Sequence, residues 1–271
     1  MTIHKSEHVV PRPAFLTGGK WKFERLNHVT VVMGKNGSGK SVLLRSWRDS
    51  LPASAHYVVP ERTGEIDFQP NYISDELNAD GRRGQSSRNF LDQYRRRIVT
   101  RVQAYLMTRG NTRAGGTPPS DPAELERMMA LLIPDFAVEL RPSNPPYQLT
   151  RVATGENITS VDHMSSGEAQ LFTIGLDILT IAGMWELNRS PERVLLLDEP
   201  DPHIHPDLQG RLADFLVRVV DRFSVQLIVA THSTALMSAL AQFGRDAHQL
   251  FMSSATGQIM SHKSVTMWLS R

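Results

Sequence analysis

The chain contains no cysteine among its 271 residues. That excludes disulfides and iron–sulfur clusters and fits a reducing, cytoplasmic setting. Long apolar runs are also missing. The longest, Leu171 to Trp185, is interrupted by Asp177 and falls short of the ~20 residues that a bilayer requires. It reads as a buried helix, and no membrane partner is expected. Met1 to Glu7 lacks an apolar stretch, so no secretory signal is read there. No internal repeat and no heptad array is present, which excludes a long coiled-coil arm. The remaining composition, 40% hydrophobic and 21% charged, is that of one large globular domain or two small lobes.

Lysine is absent locally. Between Gly81 and Arg113 there are nine arginines, one acid (Asp92) and no lysine. This segment carries +8 in a chain whose net charge is +2, so the rest carries −6. Leu91, Tyr94, Ile98, Val102 and Leu106 repeat at helical spacing, which predicts a basic amphipathic helix over 86–109. Arg88, Arg95, Arg96, Arg97 and Arg101 fall mostly off its apolar stripe. They are candidate contacts to DNA or RNA phosphates or to an acidic partner, since guanidinium forks bind such groups at two points. The plainer reading is a solvated face balanced by Glu61, Glu65, Asp75 and Glu76.

Four motifs carry the chemistry. Gly34-Lys35-Asn36-Gly37-Ser38-Gly39-Lys40-Ser41 matches G-x-x-x-x-G-K-[ST]. It follows the apolar run Val29 to Met33 and opens the helical run Ser41 to Trp47, so it reads as strand, glycine loop and helix. Glycines let backbone N–H groups converge on phosphate oxygens, and the helix N-terminus adds partial positive charge. Lys40 is placed for the β- and γ-phosphates, and the Ser41 hydroxyl for Mg²⁺. Arg193 to Glu199 is a second buried strand ending in two carboxylates. Asp198 is the candidate Mg²⁺ ligand and Glu199 the candidate general base. Gln226 to His232 is a third buried strand, with His232 as a candidate contact to the γ-phosphate or attacking water. Met164-Ser165-Ser166-Gly167-Glu168 precedes the latter two.

With these pieces in this order the chain resembles the ABC-type ATPases. More narrowly, it is similar to the branch holding the SMC-type chromosome-maintenance and repair heads and the OLD-like and AbiEii-like defence ATPases. The residues that carry the likeness are Gly34–Ser41, Met164–Glu168, Leu195–Pro200, Asp201-Pro202-His203-Ile204-His205-Pro206 and Thr231-His232-Ser233. The resemblance implies a P-loop NTPase of the α/β class, an ABC-ATPase-like core with a mostly parallel central sheet, antiparallel β elements and a helical lobe. It implies ATP and Mg²⁺ as ligands and two copies sandwiching two nucleotides. Ser165, Ser166, Gly167 and Glu168 would then face the nucleotide of the other subunit, and Asp201 would lie in the D-loop across that interface. Glu199 would be the base and His232 the switch histidine. Gln69 is the candidate Q-loop residue, contacting nucleotide and metal. Phe15, Trp21 and Phe23 are the candidates for stacking on adenine. Glu61 and Arg62 form a further candidate pair near the nucleotide. His203, His205 and Asp207 have a metal-like spacing but no evident further ligand, and the family reading makes them a turn at the dimer face.

The expected organisation is a single domain, 1–271, with an irregular stretch over 1–20, a nucleotide-binding core from 21–60 and 161–255, and a helical, variable lobe over 61–160. Residues 21–60 hold an edge strand, the central P-loop strand and its helix. Asp121 caps a helix with Pro122 in its first turn. Residues 136–141 and 147–153 read as a hairpin. OLD-like relatives carry a nuclease domain with an acidic cluster. After His232 this chain has only Asp246 as an acid, so any effector is expected to be a separate chain, such as a nuclease or toxin. The leading expectation is a cytoplasmic ATPase that dimerises on ATP and controls that effector, in anti-phage defence. The alternatives are a nucleic-acid-binding ATPase of DNA repair or maintenance, a transporter subunit, which Glu168 in place of a glutamine disfavours, and a slowly hydrolysing scaffold.

Overall fold

A computed structural model describes residues 7–16, 19–24, 26–35, 37–58, 94–111, 121–159, 163–202, 204–243, 248–252 and 259–262. Asn36, Glu61, Arg62, Gln69, Arg88 and His203 lie outside these, and of Arg95 and Arg96 only the backbone is described. Among the described residues the elements run β1 (His8–Pro11), β2 (Lys20–Phe23), β3 (Val29–Met33), α1 (Lys40–Ser50), β4 (Ala55–Val58), α2 (Tyr94–Asn111), α3 (Pro122–Leu132), β5 (Phe136–Leu140), β6 (Tyr147–Arg151), β7 (Asn157–Ile158), α4 (Ser166–Leu187), β8 (Val194–Asp198), α5 (Pro206–Phe223), β9 (Gln226–Ala230), α6 (Thr234–Phe243), β10 (His248–Met252) and β11 (Ile259–His262). The chain divides into two compact units, Met1–Val59 with Pro191–Arg271, and Pro60–Ser190. The expected core is therefore split: the helix after the signature groups with the variable lobe.

The first unit is built on a six-stranded sheet of order β11-β10-β3-β9-β8-β4. Every neighbouring pair is parallel except β10 with β11. Strands β8 and β9 are buried at every residue, as continuous apolar runs require when both faces of a sheet are covered. Because β3, β8 and β9 are parallel neighbours, their C-terminal ends emerge along one edge, where open α/β sheets bind ligands. Helix α1 buries Lys40, Leu43, Leu44 and Trp47 on one face. Trp47 stacks on Phe23 at 4.5 Å between ring centres. Strand β2 is not an edge of the main sheet; it pairs with β1 in a separate two-stranded ribbon. The expected irregular start thus holds a strand, whose alternating burial the two prolines obscured.

The second unit contains the meander β5-β6-β7 and helices α2, α3 and α4. Asp121 caps α3 by accepting from the Ala123 N–H, with Pro122 in the first turn, as the sequence predicts. The hairpin is also found, with Phe136 opposite Arg151 and Leu140 opposite Tyr147. Helix α4 is long and apolar enough to cross a membrane, yet 89% of its most apolar stretch is buried inside the protein. It passes as a central helix, apolar on all sides. Two glycines let neighbours approach it. A Cβ at Gly175 would lie 2.6 Å from Met129 Sδ of α3, and one at Gly183 would lie 2.8 Å from Tyr105 of α2.

Residues 94–111 of the basic segment form α2, while 86–93 lie outside the described residues, and Arg101 is not on the surface. Arg101 is 4% exposed and pairs with Asp177 of α4, which is fully buried. Arg101 is therefore removed from the candidate nucleic-acid contacts. The missed signal was Asp177, an acid in an otherwise apolar helix, which must find a cation to be buried at all. Arg97 is partly buried. The stripe is correct at Ile98 and Val102, but Tyr105, not Leu106, continues it into the core.

Candidate active site

The P-loop leaves β3 at Gly34 and enters α1 at Lys40. Gly37 (φ 77°) and Gly39 (φ 97°) occupy left-handed conformations in which a side chain is strained. Gly39 is also the N-cap of α1, and no side chain caps it. The first N–H groups of this helix thus remain available to an anion, and with the helix dipole they favour one.

Lys40 is buried, its side chain only 3% exposed. Its Nζ donates to the carbonyls of Gly34 (3.0 Å) and Lys35 (3.4 Å). It also lies 3.3 Å from Glu199 Oε1. The same Oε1 is 3.6 Å from His232 Nδ1, whose side chain is half-exposed. Ends of three parallel strands therefore converge on one carboxylate oxygen. Glu199 sits there at a cost: its φ of 48° places a residue with a Cβ in the left-handed region, worth about 1–3 kcal/mol. Its N–H donates to Ala230 C=O at 2.8 Å and ties the bend to β9.

Asp198 ends β8, 7% exposed. Its Oδ2 accepts from the Tyr57 hydroxyl at 2.5 Å. Burial, and then the charge of Asp198, push the Tyr57 phenol well above its ordinary range. Asp198 Oδ1 is buried without a hydrogen-bond partner, and so is Ser38 Oγ in the P-loop. A buried unpaired carboxylate oxygen is costly unless something binds it. A hard divalent cation, which takes oxygen ligands, suits such an atom, and Ser41 opens α1 on the neighbouring loop. The residues present fit Mg²⁺.

Behind these groups the loops after β8 and β9 are joined in a closed ring. The Thr231 hydroxyl donates to Asp201 Oδ1 at 2.5 Å and accepts from the Ser233 N–H at 2.9 Å. The Ser233 hydroxyl donates to Gln209 Oε1 at 2.6 Å, and Gln209 Nε2 donates to the Ile204 carbonyl at 2.9 Å. The Ile204 N–H returns to the Asp201 carbonyl at 3.1 Å. The Asp201 side chain is 5% exposed and accepts from the Thr231 hydroxyl within its own chain. Gln209, on α5, was not singled out from sequence; nothing in its local spacing marks it. His205 caps α5, its Nδ1 accepting from the Asp207 N–H at 3.5 Å. Among the described residues no group of three or more His, Asp or Glu side chains is arranged around a metal position.

In the second unit, Ser165 caps α4 in a reciprocal box. Its hydroxyl accepts from the Glu168 N–H, and Glu168 Oε2 accepts from the Ser165 N–H at 2.9 Å. Ser165 and Ser166 are exposed, Glu168 is half-buried and Gly167 is buried. Of the adenine candidates, Trp21 (4% exposed) and Phe23 (3%) are core residues, whereas Phe15 is 75% exposed.

A glycine loop at a bare helix N-terminus, with two acids at the end of β8, a parallel strand of the same sheet one strand further on, defines a P-loop ATPase. The profile of the family described as "AAA domain, putative AbiEii toxin, Type IV TA system" matches residues 68–238, and the chain belongs to that family. Among solved structures, an Smc head bound to the C-winged-helix domain of ScpA is similar over 92% of this chain and 94% of its own length, at 15% identity and a TM-score of 0.52. The SMC head domain from Thermotoga maritima aligns over 90% of this chain and 94% of its own, at 16% identity and a TM-score of 0.49. An Smc head with an extended coiled coil from Pyrococcus furiosus aligns over 52% of this chain, at 19% identity and a TM-score of 0.38; the chain spans 34% of that protein's length. At 15% identity the likeness to the ScpA-bound head is one of fold. No curated protein matches the chain.

Proposed function

We propose that this ATPase is a nucleotide-driven switch that closes as a dimer around ATP, reopens on hydrolysis and controls a separate effector protein in anti-phage defence, in the cytoplasm. The observation that carries the catalytic half is the convergence of Lys40, Glu199 and His232 at the ends of β3, β8 and β9. Lys40 would exchange its loop carbonyls for phosphate oxygens, which releases Glu199 Oε1 to orient and deprotonate the attacking water. His232 would stay within reach of that water. Ser41 and Asp198 would hold Mg²⁺, which neutralises the charge of the β- and γ-phosphates. Hydrolysis removes the group that both halves of a closed dimer contact, so the interface weakens.

Dimerisation is supported by the exposed Ser165 and Ser166 at the capped start of α4. That helix end is formed in the single chain; the Ser165 hydroxyl is held by Glu168 in the capping box and would exchange that contact for a γ-phosphate held elsewhere. The defence role rests on the family and on the Asp198-Glu199-Pro200-Asp201 segment with its following histidines. A repair role rests on the arginine helix, and loses Arg101 as one of its contacts.

The test is mass spectrometry of everything that co-purifies with Glu199→Gln in ATP, together with its sedimentation. The expected result is an ATP-dependent dimer carrying a nuclease or toxin-like protein. Nucleic acid alone would move the assignment to repair or maintenance. A protein that stays monomeric in ATP would refute the switch.

A further inference from the structure

We propose that Tyr57 is a positioning residue for the cation site: its hydroxyl pins one oxygen of Asp198 so that the other is presented to the divalent cation bound with the nucleotide. This rests on the Mg²⁺-ATP reading above.

Tyr57 lies on β4, the strand beside β8, in register with Leu196, with Val58 opposite Leu197. That pairing delivers its hydroxyl to Asp198 Oδ2. The Arg48 guanidinium of α1 lies over the ring, 5.5 Å from its centre, and helps to hold it in place. A carboxylate has two oxygens and can turn about its last bond. With Oδ2 held by a phenol, the buried Oδ1, which has no partner of its own, is the oxygen left for a ligand. Groups in this position, bonded to a metal ligand and not to the metal, commonly set affinity by fixing that ligand's orientation.

The experiment is isothermal titration calorimetry of ATP binding to the full chain, in Mg²⁺ and in EDTA, with Glu199→Gln present throughout to prevent turnover. Tyr57→Phe removes the hydroxyl and keeps the ring. The expected result is unchanged affinity in EDTA and loss of about 10- to 100-fold in the enhancement that Mg²⁺ gives. Asp198→Asn is the control and should abolish that enhancement. If Asp198→Asn loses it and Tyr57→Phe retains it, the proposal is overturned. Equal weakening of Tyr57→Phe with and without Mg²⁺ would mean a merely structural role and also overturns it. If Asp198→Asn leaves the enhancement intact, the Mg²⁺-ATP reading itself has failed, which is a separate outcome.

Discussion

Arg101→Leu is the substitution on which the sequence and the structure disagree most sharply. If Arg101 is a surface cation, its loss weakens nucleic-acid binding and leaves stability within about 0.5 kcal/mol. In the structure it is buried against Asp177, which has no exposure at all. Removing the arginine leaves a carboxylate enclosed by α4's apolar surroundings. Breaking a buried pair in this way costs about 3–5 kcal/mol. At roughly 2–4 °C per kcal/mol for a chain of this size, the melting transition should fall by about 6–20 °C. Urea unfolding gives the free energy directly, provided the slope stays constant between variants. The decisive variant is the double one, Arg101→Leu with Asp177→Leu, because two apolar residues of similar volume need no charge compensation. It should recover most of the loss. A single-variant loss below about 1 kcal/mol, the range of exposed pairs, or a double variant no more stable than the single, would refute the buried-pair account.

Other predictions concern catalysis and packing. Glu199→Gln should lower ATP turnover by about 10²–10⁴-fold in a steady-state phosphate-release assay, while ATP binding persists. Gln209→Leu leaves the Ser233 hydroxyl and the Ile204 carbonyl without their partner, so it should cost about 1–3 kcal/mol in urea unfolding. The same variant should lower kcat more than it changes KM, since Asp201 belongs to that ring and His232 lies in the chain between its members Thr231 and Ser233. Gly183→Ala drives a methyl group to 2.8 Å from Tyr105; overpacking of about 1–3 kcal/mol outweighs about 1 kcal/mol of helix propensity, and Tyr105→Leu in the same chain should relieve it. The Tyr57 phenol is raised above its unfolded value of 10.0. Its contribution is therefore fully present below that pH and lost as pH rises through the folded value. Urea midpoints measured from pH 8 to 11 should fall less steeply for Tyr57→Phe than for the parent, and equal slopes would contradict the shift.

Local sequence determined the parts that local chemistry can dictate. Gly37 and Gly39 mark a loop that needs positive φ, β-branched and apolar runs mark β3, β8 and β9, and Asp121-Pro122 marks the start of α3, because each is settled within a few residues of backbone. The order of the motifs then identified the ATPase class, and the parallel sheet follows from alternation of strand and helix. Tertiary structure decided everything that depends on residues far apart in the chain. Tyr57 reaches Asp198 only because β4 pairs with β8, a neighbour 141 positions away. Arg101 is a core residue only because α2 packs on the helix carrying Asp177, 76 positions on. The Asp201 side chain is buried where the Thr231 hydroxyl, in the loop after β9, donates to it. A charged side chain reads as exposed when only its own helix is considered; whether it is buried depends on what the fold sets opposite it, and a single sequence does not carry that pairing.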